Sequence, residues 1–208
     1  AVDPALGEAW RGKGSVLEGQ GRAEEALACY DEAISADPTS PESWQEKGEV
    51  LEGMGRGGES LECYERAAQV DPSFARAWKS RGHLLYSAAR YTDAVESYDR
   101  AVEIEPDGEA WYERGLALQR LGRYQEAVES YDSAVGIDPD SADIWYARGT
   151  ALDGLGRYSE AVESYDRALA LDPGDVRCWN RKGDDYYKLG QHRKAVECYD
   201  RFIELSSS

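Results

Sequence analysis

The sequence is poor in histidine, methionine, phenylalanine and positive charge. Its 208 residues hold 2 His, 1 Met and 2 Phe, and 24 Lys plus Arg stand against 41 Asp plus Glu, a formal charge of −17. With His83 and His192 more than a hundred residues apart, no Ser/His/Asp or Cys/His constellation and no zinc-ligand spacing is legible. Cys29, Cys63, Cys178 and Cys198 form no CxxC pair, which reads as small buried side chains in a reducing compartment, not as a disulfide framework. No run approaches about eighteen uncharged apolar residues, so no membrane span is expected. The opening stretch AVDPALGEAW has neither the basic nor the apolar region of a secretory signal. A surface this acidic repels phosphate backbones and anionic lipid, so neither nucleic acid nor membrane is an expected partner. The expected location is the cytoplasm.

What is abundant is periodic. The six tryptophans fall at Trp10, Trp44, Trp78, Trp111, Trp145 and Trp179, at intervals of 34, 34, 33, 34 and 34. Four residues after each stands Gly14, Gly48, Gly82, Gly115, Gly149 or Gly183, and twenty after each stands Tyr30, Tyr64, Tyr98, Tyr131, Tyr165 or Tyr199. Pro4, Pro38, Pro72, Pro106, Pro139 and Pro173 keep the same beat. Self-similarity at this period means stacked supersecondary units.

Each unit reads as a helical hairpin. In the fourth, Trp111, Gly115 and Leu118 recur at helical spacing, and Leu121-Gly122-Arg123-Tyr124 breaks the run. Ala127, Val128, Tyr131, Ala134 and Val135 then repeat at i, i+3, i+4, i+7, and Asp138-Pro139 ends the second helix. A glycine inside a helix costs roughly 0.5–1 kcal/mol against alanine, so six at one position imply a partner ring too close for a Cβ. The repeated tyrosine is the expected ring. A hairpin alone cannot bury its apolar face, so neighbours must stack.

The pattern W-x3-G-x6-G-x-Y-x2-A-x3-Y-x2-A-x4-P resembles the tetratricopeptide repeat family over residues 7 to 208. The resemblance implies an all-α, right-handed α-solenoid of six helix-turn-helix repeats, 7–40, 41–74, 75–107, 108–141, 142–175 and 176–208. Residues 1–6 match the tail of a preceding repeat or a leader. They suggest an array cut from a longer chain or built from such units. The resemblance also implies a concave groove lined by first helices, which binds a peptide or partner segment, and no chemistry of its own. No catalytic residue, cofactor or metal is therefore expected. Gly53 to Gly58 formally matches GxGxxG, but it lies in a helix–helix turn and lacks the strand that a dinucleotide site needs.

Departures from the family pattern carry their own expectations. Three residues after each Trp, where an apolar residue is usual, stand Lys13, Lys47, Arg81, Arg114, Arg148 and Lys182. One residue after each repeated Tyr stands Asp31, Glu65, Asp99, Asp132, Asp166 or Asp200. Six bases beside six acids predict a ladder of ion pairs, so that charge reversal of Arg114 lowers the melting temperature more than reversal of Arg120. Ala89 replaces a turn glycine, which predicts a strained turn, and Gly57 with Ser60 predicts a loosely started second helix in repeat two. Phe202 stands where the other repeats have a small residue.

Projecting positions two before and one, two, five and eight after each Trp gives the expected groove. Repeat two offers Glu42, Gln45, Glu46, Glu49 and Glu52; repeat three offers Arg76, Lys79, His83 and Tyr86. Repeats four and five add Tyr112, Glu113 and Tyr146, and repeat six adds Arg177, Asn180 and Arg181. Some family members clamp a partner's C-terminal carboxylate with a Lys/Asn/Asn/Lys/Arg set. Glu46 and Glu49 stand where that set needs polar or basic residues, so that mode is not expected. The expected function is a non-enzymatic scaffold for a basic or mixed-charge peptide with an apolar anchor. Two alternatives are a structural array that associates head to tail, and a regulatory region of a larger protein. Head-to-tail contact draws on charge polarity: residues 1–74 carry 6 basic and 16 acidic side chains, residues 176–208 carry 7 and 5.

Overall fold

The computed structural model describes residues 2–207, and every regular element among them is a helix. The chain is an all-α helical-repeat solenoid in two compact units, Ala1–Glu105 and Pro106–Ser208, of three hairpins each. In the first unit, α1 (Pro4–Gly19), α3 (Pro41–Gly53) and α5 (Ala75–Ser87) are the first helices. They pair with α2 (Ala23–Ala36), α4 (Gly57–Val70) and α6 (Tyr91–Ile104). In the second unit, α7 (Gly108–Arg120), α9 (Ala142–Gly154) and α11 (Val176–Lys188) pair with α8 (Tyr124–Ile137), α10 (Tyr158–Leu171) and α12 (His192–Ser206). Helix α1 begins at Pro4, so residues 4–6 belong to the first helix.

Local chemistry sets the boundaries. Asp3, Ser40, Asp107 and Asp175 precede first helices and accept backbone N–H bonds from the first turn, satisfying donors the helix leaves open. Hairpin turns close on Gly21, Gly55, Gly122, Gly156 and Gly190, all at φ between 72° and 74°. The third turn has Ala89 at φ 58°, the strained turn that the missing glycine predicts. The expected loose start in repeat two is not found. Helix α4 begins at Gly57, in the register where α6, α8 and α10 begin at Tyr91, Tyr124 and Tyr158. The reason lies one residue earlier: Arg56 pairs with Glu59 at 2.6 Å, as Arg22 pairs with Glu25 and Arg157 with Glu160, and the acid in the first turn favours the helix dipole.

The core of each hairpin is a glycine against a tyrosine. Tyr30, Tyr64, Tyr98, Tyr131 and Tyr165 are fully buried. A Cβ added to Gly149 would lie 2.5 Å from the Tyr165 ring, and the other five mid-helix glycines are as tightly covered, at 2.5–2.8 Å. Leu51, Leu85, Leu118 and Leu152 fill the same layer of successive first helices.

The ladder of ion pairs is present and has a defined direction. Four of the six bases reach the acid on the second helix of the preceding hairpin: Lys47–Asp31 at 2.6 Å, Arg81–Glu65 at 3.4 Å, Arg148–Asp132 at 2.6 Å and Lys182–Asp166 at 2.5 Å. The ammonium or guanidinium groups of Lys13, Arg81, Arg114, Arg148 and Lys182 lie over the Trp three residues earlier, at 4.8–5.9 Å. Stacking on an indole shields one side of each charge and makes these pairs stiffer than free surface pairs.

Candidate functional site

Within each unit the first helices lie side by side, and the side chains two before, one, two, five and eight after each Trp meet across the joint. In the first unit Arg11 on α1 reaches Glu42 at 3.6 Å and Glu46 at 3.4 Å on α3. Glu49 on α3 accepts from Arg76 on α5 at 2.7 Å. Tyr30 and Tyr64 come up from the second helices and donate their hydroxyls to Glu18 at 3.1 Å and Glu52 at 2.7 Å. The face is therefore polar, acidic and internally cross-linked, with its acids held in place by bonds from two directions.

Burial changes the chemistry of this face. It raises the Glu46 carboxyl above its ordinary range, and Arg11 and Arg76 pull it back only in part. Burial also raises the Tyr30 and Tyr64 hydroxyls, with their glutamate partners adding to the effect, so both stay protonated donors. Gln45 lies beneath the surface: fully buried, its amide donates at 2.8 Å to both Glu49 and Ser80. A glutamine at that position orders the floor and is removed from any contact with a ligand. Arg76 and His83 are exposed, and Lys79 and Tyr86 are half-buried, with Tyr86 edge-on to Tyr91 at 5.3 Å.

The corresponding face of the second unit is more aromatic, with Tyr112, Tyr146 and Tyr187 at these positions. Tyr112 and Tyr146 lie tilted against the buried Tyr131 and Tyr165, each pair 6.0 Å between centroids. Glu113 is half-buried beside Tyr112 in sequence. Gln119 on α7 donates to Thr150 on α9 at 2.8 Å and accepts from the Tyr131 hydroxyl at 2.8 Å. Arg177 on α11 covers the Tyr146 ring at 4.7 Å and donates to Asp143 at 2.8 Å and Asp175 at 2.9 Å. Those bonds hold Arg177 charged; burial works against ionisation of Asp175, and the bonds from Arg177 prevail and lower it. Arg181 is exposed and Asn180 half-buried on the same helix.

Two features escaped the sequence-level projection. The recurrent Arg-x-x-acid pairs at second-helix starts were legible as a spacing, and Asp185 was not, because an acid on a core-facing position gives no signal of its own. Among the described residues no cluster of His, Cys, Asp and Glu could hold a metal ion, and no helix is long and apolar enough to cross a membrane.

Comparisons with known proteins agree with the geometry. Tetratricopeptide repeat models match residues 7–50, then 46–109, 81–142 and 112–176, and finally 176–208. No curated protein matches the chain in sequence. Among solved structures the chain is similar to YrrB, described as a tetratricopeptide repeat protein with an unusual peptide-binding site. That likeness has a TM-score of 0.80 at 20% identity and covers 86% of this chain and 93% of that one. It is also similar to MamA, with a TM-score of 0.78 at 22% identity over 80% of this chain and 92% of that one. PilF of Pseudomonas aeruginosa gives 0.75 at 18% identity over 97% and 92%. At these identities the likeness speaks to the fold.

Proposed function

The chain belongs to the tetratricopeptide repeat family, and from that premise we propose that it is a non-enzymatic scaffold whose first-helix faces bind a peptide or partner segment. The observation that carries this reading is the row of polar side chains from successive first helices, anchored from below by buried tyrosine hydroxyls. A face fixed in advance loses little rotamer freedom on binding. In the first unit the acids Glu42, Glu46, Glu49 and Glu52 favour a basic or mixed-charge segment. In the second, Tyr112 and Tyr146 supply rigid contact area for an apolar anchor. Helix starts at residues 41, 75, 108, 142 and 176 support five of the six expected repeat starts, whereas α1 begins at Pro4 and not at residue 7. The four free, buried thiols support a reducing location, the cytoplasm. The acidic surface speaks against nucleic acid and anionic membrane as partners. Calorimetric titration with a polylysine-type and a polyglutamate-type peptide tests the reading: salt-sensitive binding of the basic peptide alone, lost in Glu46→Lys/Glu49→Lys, supports it. Equal binding of both peptides, or of neither, overturns it.

Head-to-tail self-association is the second reading. Val16 on α1 is 61% exposed and Val196 and Ile203 on α12 are 56% and 57% exposed, whereas the equivalents Val50, Val162 and Leu169 are buried. Among the described residues Lys13 has no acid and Asp200 no base within ion-pair distance, unlike the other ladder positions named above. Phe202 works against it, because Ala33, Ala67, Ala101, Ala134 and Ala168 occupy the same repeat position with almost no exposed surface. Sedimentation velocity over rising concentration at low salt decides: a growing sedimentation coefficient supports association, and a constant one rejects it.

A further inference from the structure

One hairpin carries a buried acid where the others carry hydrocarbon. Asp185 on α11 lies six residues after Trp179 and is fully buried; the equivalent positions hold Val50, Leu84, Ala117 and Ala151. Across the joint on α9 stands Asp153, itself only 16% exposed at the side chain. A single ammonium serves both carboxylates: Lys188 donates to Asp185 Oδ1 at 3.2 Å and to Asp153 Oδ1. The second oxygen of Asp185 has no hydrogen-bond partner.

The neighbours do not make up the deficit. On α11, Arg181 reaches Asp153 at 4.0 Å and bonds with Tyr146. On α9, Tyr146 lies against Tyr165 and under Arg177. From α10, the fully buried Tyr165 brings a hydroxyl that has no hydrogen-bond partner, although the charges of Asp185 and Asp153 act on it, and Tyr158 lies under Lys188 at 4.7 Å. From α12, Tyr199 donates to Asp184 at 2.8 Å and His192 packs against Tyr187 at 5.3 Å. A fully buried and a largely buried carboxylate share the Lys188 ammonium, Arg181 approaches Asp153 but not Asp185, and one oxygen of Asp185 lacks a donor. In a low-dielectric interior that arrangement is costly, whereas one shared proton would supply the missing donor and neutralise the excess charge.

We propose that Asp153, Asp185 and Lys188 form a proton-responsive joint between α9 and α11, closed while the acid pair holds one proton and loosened when that proton leaves. Burial and the adjacent Asp153 raise the Asp185 carboxyl well above the ordinary carboxylate range, and Lys188 lowers it only in part. The sign follows from linkage. A carboxyl that binds its proton more tightly in the folded chain than in the unfolded one stabilises the fold in acid. That stability is lost as pH rises from the ordinary carboxylate range toward neutrality. No ligand is involved, so the joint stands apart from the peptide-binding reading.

The test is a comparison of melting midpoints at pH 5 and pH 8 for the parent chain, Asp185→Asn and Asp184→Asn. The expected result is that Asp185→Asn melts with the parent at pH 5 and several degrees above it at pH 8, while Asp184→Asn shows the same offset at both. An Asp185→Asn offset that does not change with pH overturns the joint. Should that variant fail to fold, carbon NMR titration of the parent decides. Asp185 must titrate more than about one pH unit above the ordinary aspartate value of about 3.9, and titration at that ordinary value rejects the proposal.

Discussion

Arg148 and Ser164 face each other inside the fifth hairpin: Nη1 of the arginine donates to the serine Oγ at 2.7 Å, while its Nε donates at 2.6 Å to Asp132 on the helix before. The pairing recurs. Arg81 donates to Ser97 at 2.5 Å and Arg114 to Ser130 at 2.6 Å. Where the first helix carries lysine instead, at Lys13, Lys47 and Lys182, the second helix carries Cys29, Cys63 and Cys198 at the serine position. A guanidinium has donors enough to span an acid and a hydroxyl at once, whereas an ammonium reaching for the acid leaves the buried site beside it to a thiol, which needs no strong partner.

Arg148 and Ser164 are therefore expected to be energetically coupled. Arg148→Lys and Ser164→Cys each break a bond to a charged donor, worth about 1.5–3 kcal/mol, and leave one side unsatisfied. The double variant reproduces the Lys/Cys pairing of the second hairpin and should cost less than the sum of the two single changes. Urea denaturation of the four proteins as a double-mutant cycle measures this; strict additivity would show that the pairing has no physical basis.

The glycine–tyrosine contact predicts opposite outcomes for one substitution at two sites. Gly149→Ala places a Cβ 2.5 Å from the Tyr165 ring, which is fully buried and cannot retreat. Overpacking of that kind costs about 1–3 kcal/mol, more than alanine's helix preference returns. Gly12→Ala, inside α1 with nothing within 4 Å of the new atom, should stabilise by up to about 1 kcal/mol. Thermal melts of both variants test the pair, and two shifts of the same sign would contradict the packing account.

At the third turn the sign is set by backbone conformation. Ala89 holds φ 58°, where the other five hairpin turns hold glycine at 72–74°. Left-handed backbone costs a non-glycine residue roughly 1–2 kcal/mol, so Ala89→Gly should raise the melting midpoint. A lowered midpoint would mean that the entropy glycine adds to the unfolded chain outweighs the relief.

How much of this was legible follows from what each feature depends on. The hairpins, the Gly149–Tyr165 type of contact and the partners of the ladder are set by positions at one fixed period, so a single chain displays them. Its direction, from Arg148 back to Asp132 and not forward within the hairpin, depends on which helix faces which across a joint. Gln45 shows the same limit: its spacing places it with Glu46 and Glu49, yet it is fully buried and bonded to Ser80 on the next first helix. Asp185 was illegible for a different reason. Its position reads as core and its side chain as surface, and only the packed joint with Asp153 and Lys188 resolves the conflict.

The cysteines give the last test, because burial controls their reactivity. Only the thiolate is nucleophilic, and desolvation pushes the Cys63 thiol up to about 11 and the Cys178 thiol up to about 12. Lys47 lowers the first and Asp175 raises the second, but in both the loss of water is the larger effect. Cys198 is raised for the same reason, and all four side chains are buried. A disulfide-exchange reagent at pH 8 should therefore label the folded chain slowly at every site and label all four thiols at once when urea unfolds it. The sign of the pH dependence follows from ionisation: labelling of the folded chain should still be rising at about pH 10, where an exposed thiol of ordinary pKa, about 8.5, is close to its plateau. Rapid labelling of Cys63 in the folded protein would show that the second hairpin opens locally, a motion that the close cover of Gly48 by the Tyr64 ring, which leaves no room for a Cβ, argues against.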